Sequence, residues 1–432
     1  MSEFDNILIL ASQADFTKRI SRLRNELSLN GFLKTNPTAA DNVRQIVADI
    51  AVRGDTALID YTEKFDKIKF TAAQIRVSPD ELKKAHSQID NALLASLRKA
   101  INNVRKYQSD IFIANKPYSS GIRYTPIRRV GVCVPGASAP LPSTVIMTAV
   151  PAQVAGVKEI AVISPPRCQG SIHPVILAVC HELGIEEVYR VGGAQAVAAL
   201  AHGTQTIGKV DKIVGPGNHW VQLAKKEVFG TVDIDSIAGP SEVLIVATDG
   251  ANPAWLAADM LSQAEHDPGS ALLITDSQKL ARATLSQLET QVKQLPRADQ
   301  TAKCLNHYSC IIVTKNIDEA IELANDFASE HLQIQCGDQS RAVTEKIVNA
   351  GAIFIGDYTP VAVGDYYAGP SHTLPTGQSA KFFSALSSND FLKATSIIEY
   401  DKQKLTVAAA DIIRLAQTEG LDAHAKSVSV RI

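Results

Sequence analysis

Short apolar runs alternate with amphipathic segments through the middle of this 432-residue chain. One series of runs, each ending in a turn with Gly or Pro, comprises residues 131–136, 159–165, 187–193 and 211–217. A second series comprises residues 242–247, 271–275, 310–314 and 352–355. Short β-branched runs that alternate with helical segments are typical of parallel sheets with crossover helices. The pattern therefore predicts an α/β fold with two parallel-sheet cores in tandem, and ligands in such folds collect at the carboxyl ends of the strands.

The two ends of the chain carry less strand signal. Apolar residues spaced three and four apart predict helices over residues 41–52, 56–65, 93–107, 382–392 and 406–418. Residues 117–129 are expected to be irregular or extended, and the alternation in residues 427–431 predicts a strand. The C-terminal tail is too small to bury much surface alone, so we expect it to pack on another domain or on a second subunit.

Composition and charge exclude several classes of partner. Hydrophobic residues make up 45% of the chain, charged residues 20%, and the net charge is −2, which gives no electrostatic case for nucleic acid or an anionic membrane. The N-terminus carries acids where a signal peptide has basic residues, and the longest apolar stretch, residues 145–157, is too short to span a bilayer. None of the six cysteines forms a CxxC pair, so we expect free, packed thiols in a cytoplasmic protein.

A polar pair follows an apolar helical segment at residues 255–261. If the helix continues, Gln263 and His266 share one of its faces, and Pro268 then stops or kinks it. A side-chain amide beside an imidazole is half of a metal site or a polar anchor for a small substrate.

A carboxylate stands next to an imidazole at Glu330-His331, between a predicted helix at residues 317–327 and the extended residues 332–335. Such a pair suits general base catalysis, directly or through a water molecule. The alternative is a surface turn that carries an ordinary histidine.

Further candidates lie in glycine-rich loops and near the C-terminus. Asp365 and His372 are possible metal or substrate ligands, although Asp365 is equally typical of a turn. His424, taken alone, is more often a packed or exposed imidazole. The glycine turns after the first series of runs admit a phosphate at helix N-termini, with Asn218 placed as a helix cap, but neither GxGxxG nor a Walker loop is present in the sequence. From these residues alone, a zinc hydrolase is as good an interpretation as a dehydrogenase.

Four segments together resemble the histidinol dehydrogenase family: residues 234–243, 261–268, 329–332 and 370–376. Their order and spacing match that family from Gly54 to His424. The resemblance implies a homodimer that oxidises L-histidinol through histidinal to L-histidine in two NAD-dependent steps, at the end of histidine biosynthesis.

The resemblance also implies roles for individual residues. Zinc, one ion per subunit, would be held by Gln263, His266, Asp365 and His424, the last from the other subunit of the dimer. His331 would be the general base, and Glu330 would activate water. Substrate contacts would be Ser241, Gln263, His266, His331, Asp365, His372 and Glu419. NAD contacts would be Cys133, Gln195 and Asn218.

One departure from the family concerns the cofactor. Cys133 stands where the family usually has a tyrosine that contacts NAD, and a thiol offers less surface and no ring. Ala137 likewise replaces a usual glycine in the following loop.

Combined with the hydrophobic pattern, the resemblance divides the chain into two Rossmann-like, incomplete domains with short tails. The predicted segments are an N-terminal tail (1–25), a first domain with the zinc and catalytic residues (26–130 with 241–380), a second domain on the NAD side (131–240) and a C-terminal tail domain with dimer contacts (381–432). Three rival functions remain: a zinc-dependent dehydrogenase of another amino alcohol, a metal-dependent hydrolase that uses Glu330 as base, and a nucleotide-binding protein without activity.

Overall fold

The computed structural model describes residues 4–26, 28–115, 121–136, 140–266 and 268–432. The strands are β1 (Leu8–Leu10), β2 (Ile122–Pro126), β3 (Arg129–Cys133), β4 (Glu159–Ile163), β5 (Glu187–Tyr189), β6 (Lys212–Val214), β7 (Asp233–Ile234), β8 (Ser241–Ala247), β9 (Gly269–Thr275), β10 (Cys310–Val313), β11 (His331–Gln335), β12 (Ala352–Ile355) and β13 (Leu392–Ser396). The helices of the first half are α1 (Phe16–Glu26), α2 (Leu29–Thr35), α3 (Ala39–Arg53), α4 (Asp55–Asp66), α5 (Ala72–Ile75), α6 (Pro79–Gln88), α7 (Asn91–Asp110), α8 (Pro142–Ala155), α9 (Pro174–Glu182), α10 (Gly193–His202) and α11 (His219–Val228). Those of the second half are α12 (Pro253–Ala264), α13 (Gln278–Val292), α14 (Ala298–Tyr308), α15 (Ile317–Phe327), α16 (Ser340–Glu345), α17 (Val361–Tyr366), α18 (Lys402–Thr418) and α19 (Asp422–Ser429).

The first series of apolar runs forms a parallel sheet with the strand order β5-β4-β3-β6-β7. In its centre, Val132 of β3 lies opposite Val162 of β4 and Val214 of β6. Every residue of β3 is buried, because helices cover the sheet. Burial on both faces explains why these strands are continuous apolar runs and do not alternate with polar residues.

The second series forms another parallel sheet, in the order β1-β10-β9-β8-β11-β12. One face packs on α12, α13 and α14, and the other on α15 and α16, with a separate apolar core on each side. All seven residues of β9 are buried. The two parallel sheets confirm the predicted α/β fold class, and β11 coincides with the stretch that was predicted to be extended.

The chain divides into two compact units. The larger comprises Met1–Phe112 with Pro126–Phe391, and it contains both parallel sheets. The smaller comprises Ile113–Thr125 with Leu392–Ile432; in it, β2 pairs with β13, and α18 packs against α19. The domain boundaries given by the sequence stay predictions.

Two elements near the C-terminus were predicted wrongly. Residues 427–431 are not a strand, because α19 runs to Ser429 and buries Ala425 and Val428, three residues apart, on one face. Residues 382–392 are not an α-helix either. Instead, the carboxylate of Asp390 accepts hydrogen bonds from the backbone and hydroxyl groups of Ser387 at 2.6 and 2.8 Å. Such local side-chain bonds compete with a helix, and a short 3₁₀ turn, Ser388–Phe391, forms there.

The remaining terminal predictions agree with the structure. Helices α3, α4, α7 and α18 contain the predicted helical segments. The described part of the segment predicted to be irregular or extended contains β2; its residues 117–120, and Ala137 further on, lie outside the described residues. Among the described residues, none of the helices combines the length and the apolar character that crossing a membrane requires.

Candidate active site

A cavity of about 1050 Å³ in the larger unit is lined by residues of both sheets. The first sheet contributes its carboxyl ends, with Cys133 at the end of β3 and Gly192 and Pro216 beyond β5 and β6. The second sheet contributes its amino ends, with Ser241 at the start of β8 and Glu330 just before β11. The cavity therefore lies at the carboxyl ends of the first sheet, where ligands were expected to collect, but at the amino ends of the second.

The starts of β8 and β11 are joined by reciprocal hydrogen bonds. Glu330 Oε2 accepts from the Ser241 hydroxyl at 2.6 Å and from the Glu242 backbone N–H at 2.8 Å. In return, the Glu330 backbone N–H donates to Glu242 Oε1 at 3.3 Å. Parallel pairing sets this up, because the next residue, His331, lies opposite Val243 in the register. The Glu330 carboxylate is therefore held by the protein without help from a ligand.

The imidazole of His331 is fixed on one side by the backbone. Its Nδ1 lies 3.0 Å from the carbonyl oxygen of Glu242, which makes Nδ1 the protonated nitrogen. Nε2 is thereby directed to Asp365 Oδ1, 3.5 Å away. Burial by itself would lower the pKa of His331, but the Glu330 and Asp365 carboxylates outweigh it and raise that pKa to about 9. Glu330 and His331 are only 7% and 4% exposed, so the alternative of an ordinary surface turn is wrong.

Burial also acts on the neighbouring carboxyl groups. It raises the pKa of Glu330, although the nearby His331 works in the opposite direction. Burial and the charge of Glu330 raise the pKa of Glu242 to about 7. A carboxyl group whose proton affinity lies closer to neutrality is a better general base than an exposed one.

The candidate metal ligands of the larger unit lie around Asp365 on α17. Its Oδ1 is 4.0 Å from Nδ1 of His372, and both residues line the cavity together with His266. Gln263 is buried near the end of α12, and its Nε2 has no hydrogen-bond partner among the described residues. A buried amide without a protein partner needs a ligand or water to satisfy it.

The predicted helical face shared by Gln263 and His266 is wrong in one respect. Helix α12 ends at Ala264, and His266 lies in the turn beyond it, with its backbone N–H 3.3 Å from the carbonyl oxygen of Gln263. The chain folds back closely here, since a Cβ atom on Gly269 would stand 2.1 Å from that same oxygen. The turn, and not helical periodicity, brings the two side chains to the same end of α12.

Two candidates belong to the smaller unit. His424 lies on α19 and Glu419 caps the end of α18; both side chains are exposed within that unit. Across the described residues, no three His, Cys, Asp or Glu side chains form a ready-made metal site.

The predicted cofactor residues Cys133, Gln195 and Asn218 all line the cavity. As predicted, Asn218 caps α11: its Oδ1 accepts from two backbone N–H groups at 3.1 and 3.2 Å. Helix α10 begins at Gly193, also in the cavity wall, so two helix N-termini offer positive dipole ends to an anion. Burial raises the pKa of the Cys133 thiol to about 12, which keeps it neutral.

Two residues that support the cavity wall beyond β6 were not found from the sequence. Lys225 of α11 forms a buried ion pair with Asp235, and its Nζ donates to the carbonyl oxygen of Gly215 at 3.1 Å. Asp235 Oδ2 accepts from the N–H of Gly215 at 2.7 Å. The turn beyond β6 is thus held from both sides. A lysine in an amphipathic helix normally faces solvent, so no local signal marks Lys225 as buried.

Comparisons with known proteins place this arrangement in context. The family model described as histidinol dehydrogenase matches residues 33–432. A relative named histidinol dehydrogenase from Rhodopirellula baltica is 47% identical, over 94% of this chain and 89% of its own. A second, named histidinol dehydrogenase 2, from Trichormus variabilis, is 45% identical over 98% of each chain. The crystal structure of histidinol dehydrogenase from Elizabethkingia anophelis superimposes with a TM-score of 0.84 at 38% identity, covering 90% of this chain and 91% of its own.

Proposed function

This chain belongs to the histidinol dehydrogenase family of oxidoreductases, and we propose that it oxidises L-histidinol through histidinal to L-histidine with NAD and zinc. The observation that carries the proposal is the arrangement of side chains at the starts of β8 and β11. There, a buried imidazole and a buried carboxylate, fixed by separate hydrogen bonds, line one cavity together with Asp365.

In the first oxidation, His331 accepts the proton of the substrate hydroxyl. Its Nδ1–H is committed to the backbone oxygen of Glu242, so in the neutral imidazole, the form that prevails above its pKa of about 9, Nε2 is the nitrogen that receives the proton. NAD, when bound, supplies the hydride acceptor for this oxidation and for the next.

In the second oxidation, Glu330 accepts a proton from a water molecule, whose oxygen adds to the aldehyde carbon. Ser241 and the Glu242 N–H hold one carboxylate oxygen, Oε2, which leaves the other carboxylate oxygen for that water. The hydrated aldehyde, now an anion, then loses the second hydride of the overall reaction and becomes the carboxylic acid, which releases its remaining proton to solvent to give the carboxylate. Only this half of the reaction requires water, which fits a site with two separate proton acceptors.

Zinc fits the donors of this site. We propose that Gln263, through its amide oxygen, His266 and Asp365 hold it together with His424 from the other subunit of a homodimer; these are nitrogen and oxygen donors that zinc accepts, and His266 and Asp365 line the same cavity. When bound, zinc supplies a positive centre that orients the imidazole and amine of the substrate. Ser241, His372 and Glu419 are the further substrate contacts in this proposal.

The cofactor fits the first sheet. Gln195 and Asn218 stand at the N-termini of α10 and α11, where backbone N–H groups and helix dipoles favour the phosphates of a dinucleotide. Cys133 lines the same wall as a small neutral side chain. We further propose that the enzyme acts in the cytoplasm, without nucleic-acid or membrane partners.

NADH production from L-histidinol tests this function. We expect two NADH for each histidinol consumed, loss of activity in a zinc chelator and its return with added zinc. His331→Asn, purified in parallel, controls for contaminating dehydrogenases and should be almost inactive. Failure to produce NADH from histidinol would overturn the proposal. A preference for another amino alcohol, or hydrolysis without NAD, would identify one of the rival functions.

A further inference from the structure

Glu242 contacts both catalytic residues through three different groups. Its backbone N–H donates to Glu330 Oε2 at 2.8 Å, and its carbonyl oxygen lies 3.0 Å from His331 Nδ1. Its side-chain Oε1 accepts from the Glu330 backbone N–H at 3.3 Å and from that of Gly377 at 3.0 Å. No role in the proposed reaction has so far required this side chain.

The choice of an acid at this position is costly for the fold. Both hydrogen bonds to its side chain come from N–H donors, and a glutamine oxygen would accept them equally well. Instead, a second carboxylate is placed beside that of Glu330, where burial and mutual repulsion raise the pKa of Glu242 to about 7. An ionisable carboxyl group that structure alone does not need points to a task in the reaction.

We propose that Glu242 is a positioning residue for the water-dependent second oxidation: its carboxylate fixes Glu330 and the loop at Gly377, and its negative charge strengthens Glu330 as a proton acceptor. This inference rests on the proposed function. A neighbouring negative charge favours the protonated form of Glu330, so Glu330 removes a proton from water more readily.

Through its hydrogen bond with the Gly377 backbone N–H, Glu242 also positions part of the cavity wall. The loop that ends at Gly377 carries His372, Thr373 and Leu374, which all line the cavity. A second bond, from the Gly239 N–H to Thr376 Oγ1 at 2.6 Å, ties the same loop to the chain just before β8. Glu242 therefore keeps the base and the wall that faces the substrate in one fixed arrangement.

The geometry separates the two oxidations. His331 depends on the backbone oxygen of residue 242, which every substitution there retains. The side chain of Glu242 accepts the hydrogen bond from the Glu330 backbone N–H, and its carboxyl group interacts electrostatically with that of Glu330. A change of this side chain should therefore spare alcohol oxidation and impair aldehyde oxidation.

Glu242→Gln and Glu242→Ala test the proposal when oxidation of histidinol and of histidinal is measured separately. Glu242→Gln keeps an acceptor oxygen and loses the charge, so kcat for histidinal should fall about tenfold more than kcat for histidinol, with KM unchanged. Glu242→Ala should show the same loss in kcat and, because the loop at Gly377 is released, a higher KM. The two variants separate positioning from charge. A wild-type KM in Glu242→Gln but not in Glu242→Ala reports positioning of the loop, and a low kcat in both variants reports loss of the charge.

Glu159→Gln is the matched control, since Glu159 pairs with Arg128 and Arg129 at the opposite end of β4 from the cavity. It should leave the ratio of the two half-reactions unchanged. Glu242→Gln with wild-type kcat for histidinal, or with equal losses in both half-reactions, would overturn the inference. A wild-type protein that makes no NADH from either compound would instead overturn the proposed function.

Discussion

At the scale of single residues, the proposed function gives two proton acceptors to two chemically different steps. His331 has its Nδ1 fixed by a backbone oxygen, and Glu330 has one carboxylate oxygen fixed by two donors. Each anchor comes from the backbone or from Ser241, although the two side chains also approach each other, with His331 Nδ1 3.4 Å from Glu330 Oε2. Each group therefore keeps its own anchors when the other is substituted.

Substitution of Glu330 tests this independence. Glu330→Gln retains the size of the side chain and its bond with Ser241, but an amide cannot take a proton from water. We expect kcat for histidinal oxidation to fall about 100-fold and histidinol oxidation to the aldehyde to fall far less, in single-turnover measurements of NADH formation. Equal losses in the two half-reactions would contradict the assignment of Glu330 to water.

Some of these residues could be predicted from the sequence and others could not. Adjacency made Glu330-His331 visible, since a carboxylate beside an imidazole is a recognisable pair. Glu242 gave no such signal, because its position beside Glu330 arises from the pairing of β8 with β11, strands far apart in the chain. Lys225 could not be predicted for a similar reason, because its ion-pair partner Asp235 lies on a different element, just after β7.

At the scale of elements, buried strands were predictable and turn geometry was not. The apolar runs of both sheets were found because burial on both faces leaves a continuous hydrophobic signature. The end of α12 was missed because it depends on the close approach of Gly269 to the carbonyl oxygen of Gln263, a contact between chain segments that periodicity does not encode. The turn beyond β6 likewise depends on a buried ion pair.

That ion pair should dominate the stability of the turn. Asp235→Ala leaves Lys225, only 2% exposed, as an uncompensated buried charge and removes the acceptor of the Gly215 N–H. We expect the free energy of unfolding in urea to fall by about 3–5 kcal/mol. KM for NAD should rise in the same variant, because the turn carries Pro216 and Gly217 in the cavity wall.

Asp318→Ala provides the comparison for this prediction. Asp318 pairs with Lys346 at 2.7 Å, and both side chains are exposed, Asp318 to 68% and Lys346 to 58%. In this variant, the free energy of unfolding should fall by about 1 kcal/mol or less, and the KM for NAD should stay unchanged. A loss of stability as large as that of Asp235→Ala would mean that burial of the pair is not what matters.

At the scale of the whole molecule, two similar sheets contribute opposite ends to one cavity. The first sheet offers carboxyl ends and helix N-termini, which favour a phosphate-bearing cofactor. The second offers amino ends, where neighbouring strands bring Ser241, Glu242, Glu330 and His331 together. Hydrophobic periodicity predicts both sheets but not which ends meet, so the composition of the cavity had to come from the structure and from the family resemblance.

The proposed contribution of His424 from a second subunit leads to the final prediction. His331→Asn and His424→Asn should each be inactive alone, because each disables every site of its homodimer. In a mixed dimer, one site combines the intact His331 of one chain with the intact His424 of the other, so activity should return. Subunits that carry different affinity tags allow mixed dimers to be purified and assayed, with tagged wild-type dimers as the reference. If His424 serves the site of its own chain, every site in the mixed dimer contains one defect, and purified heterodimers will stay inactive.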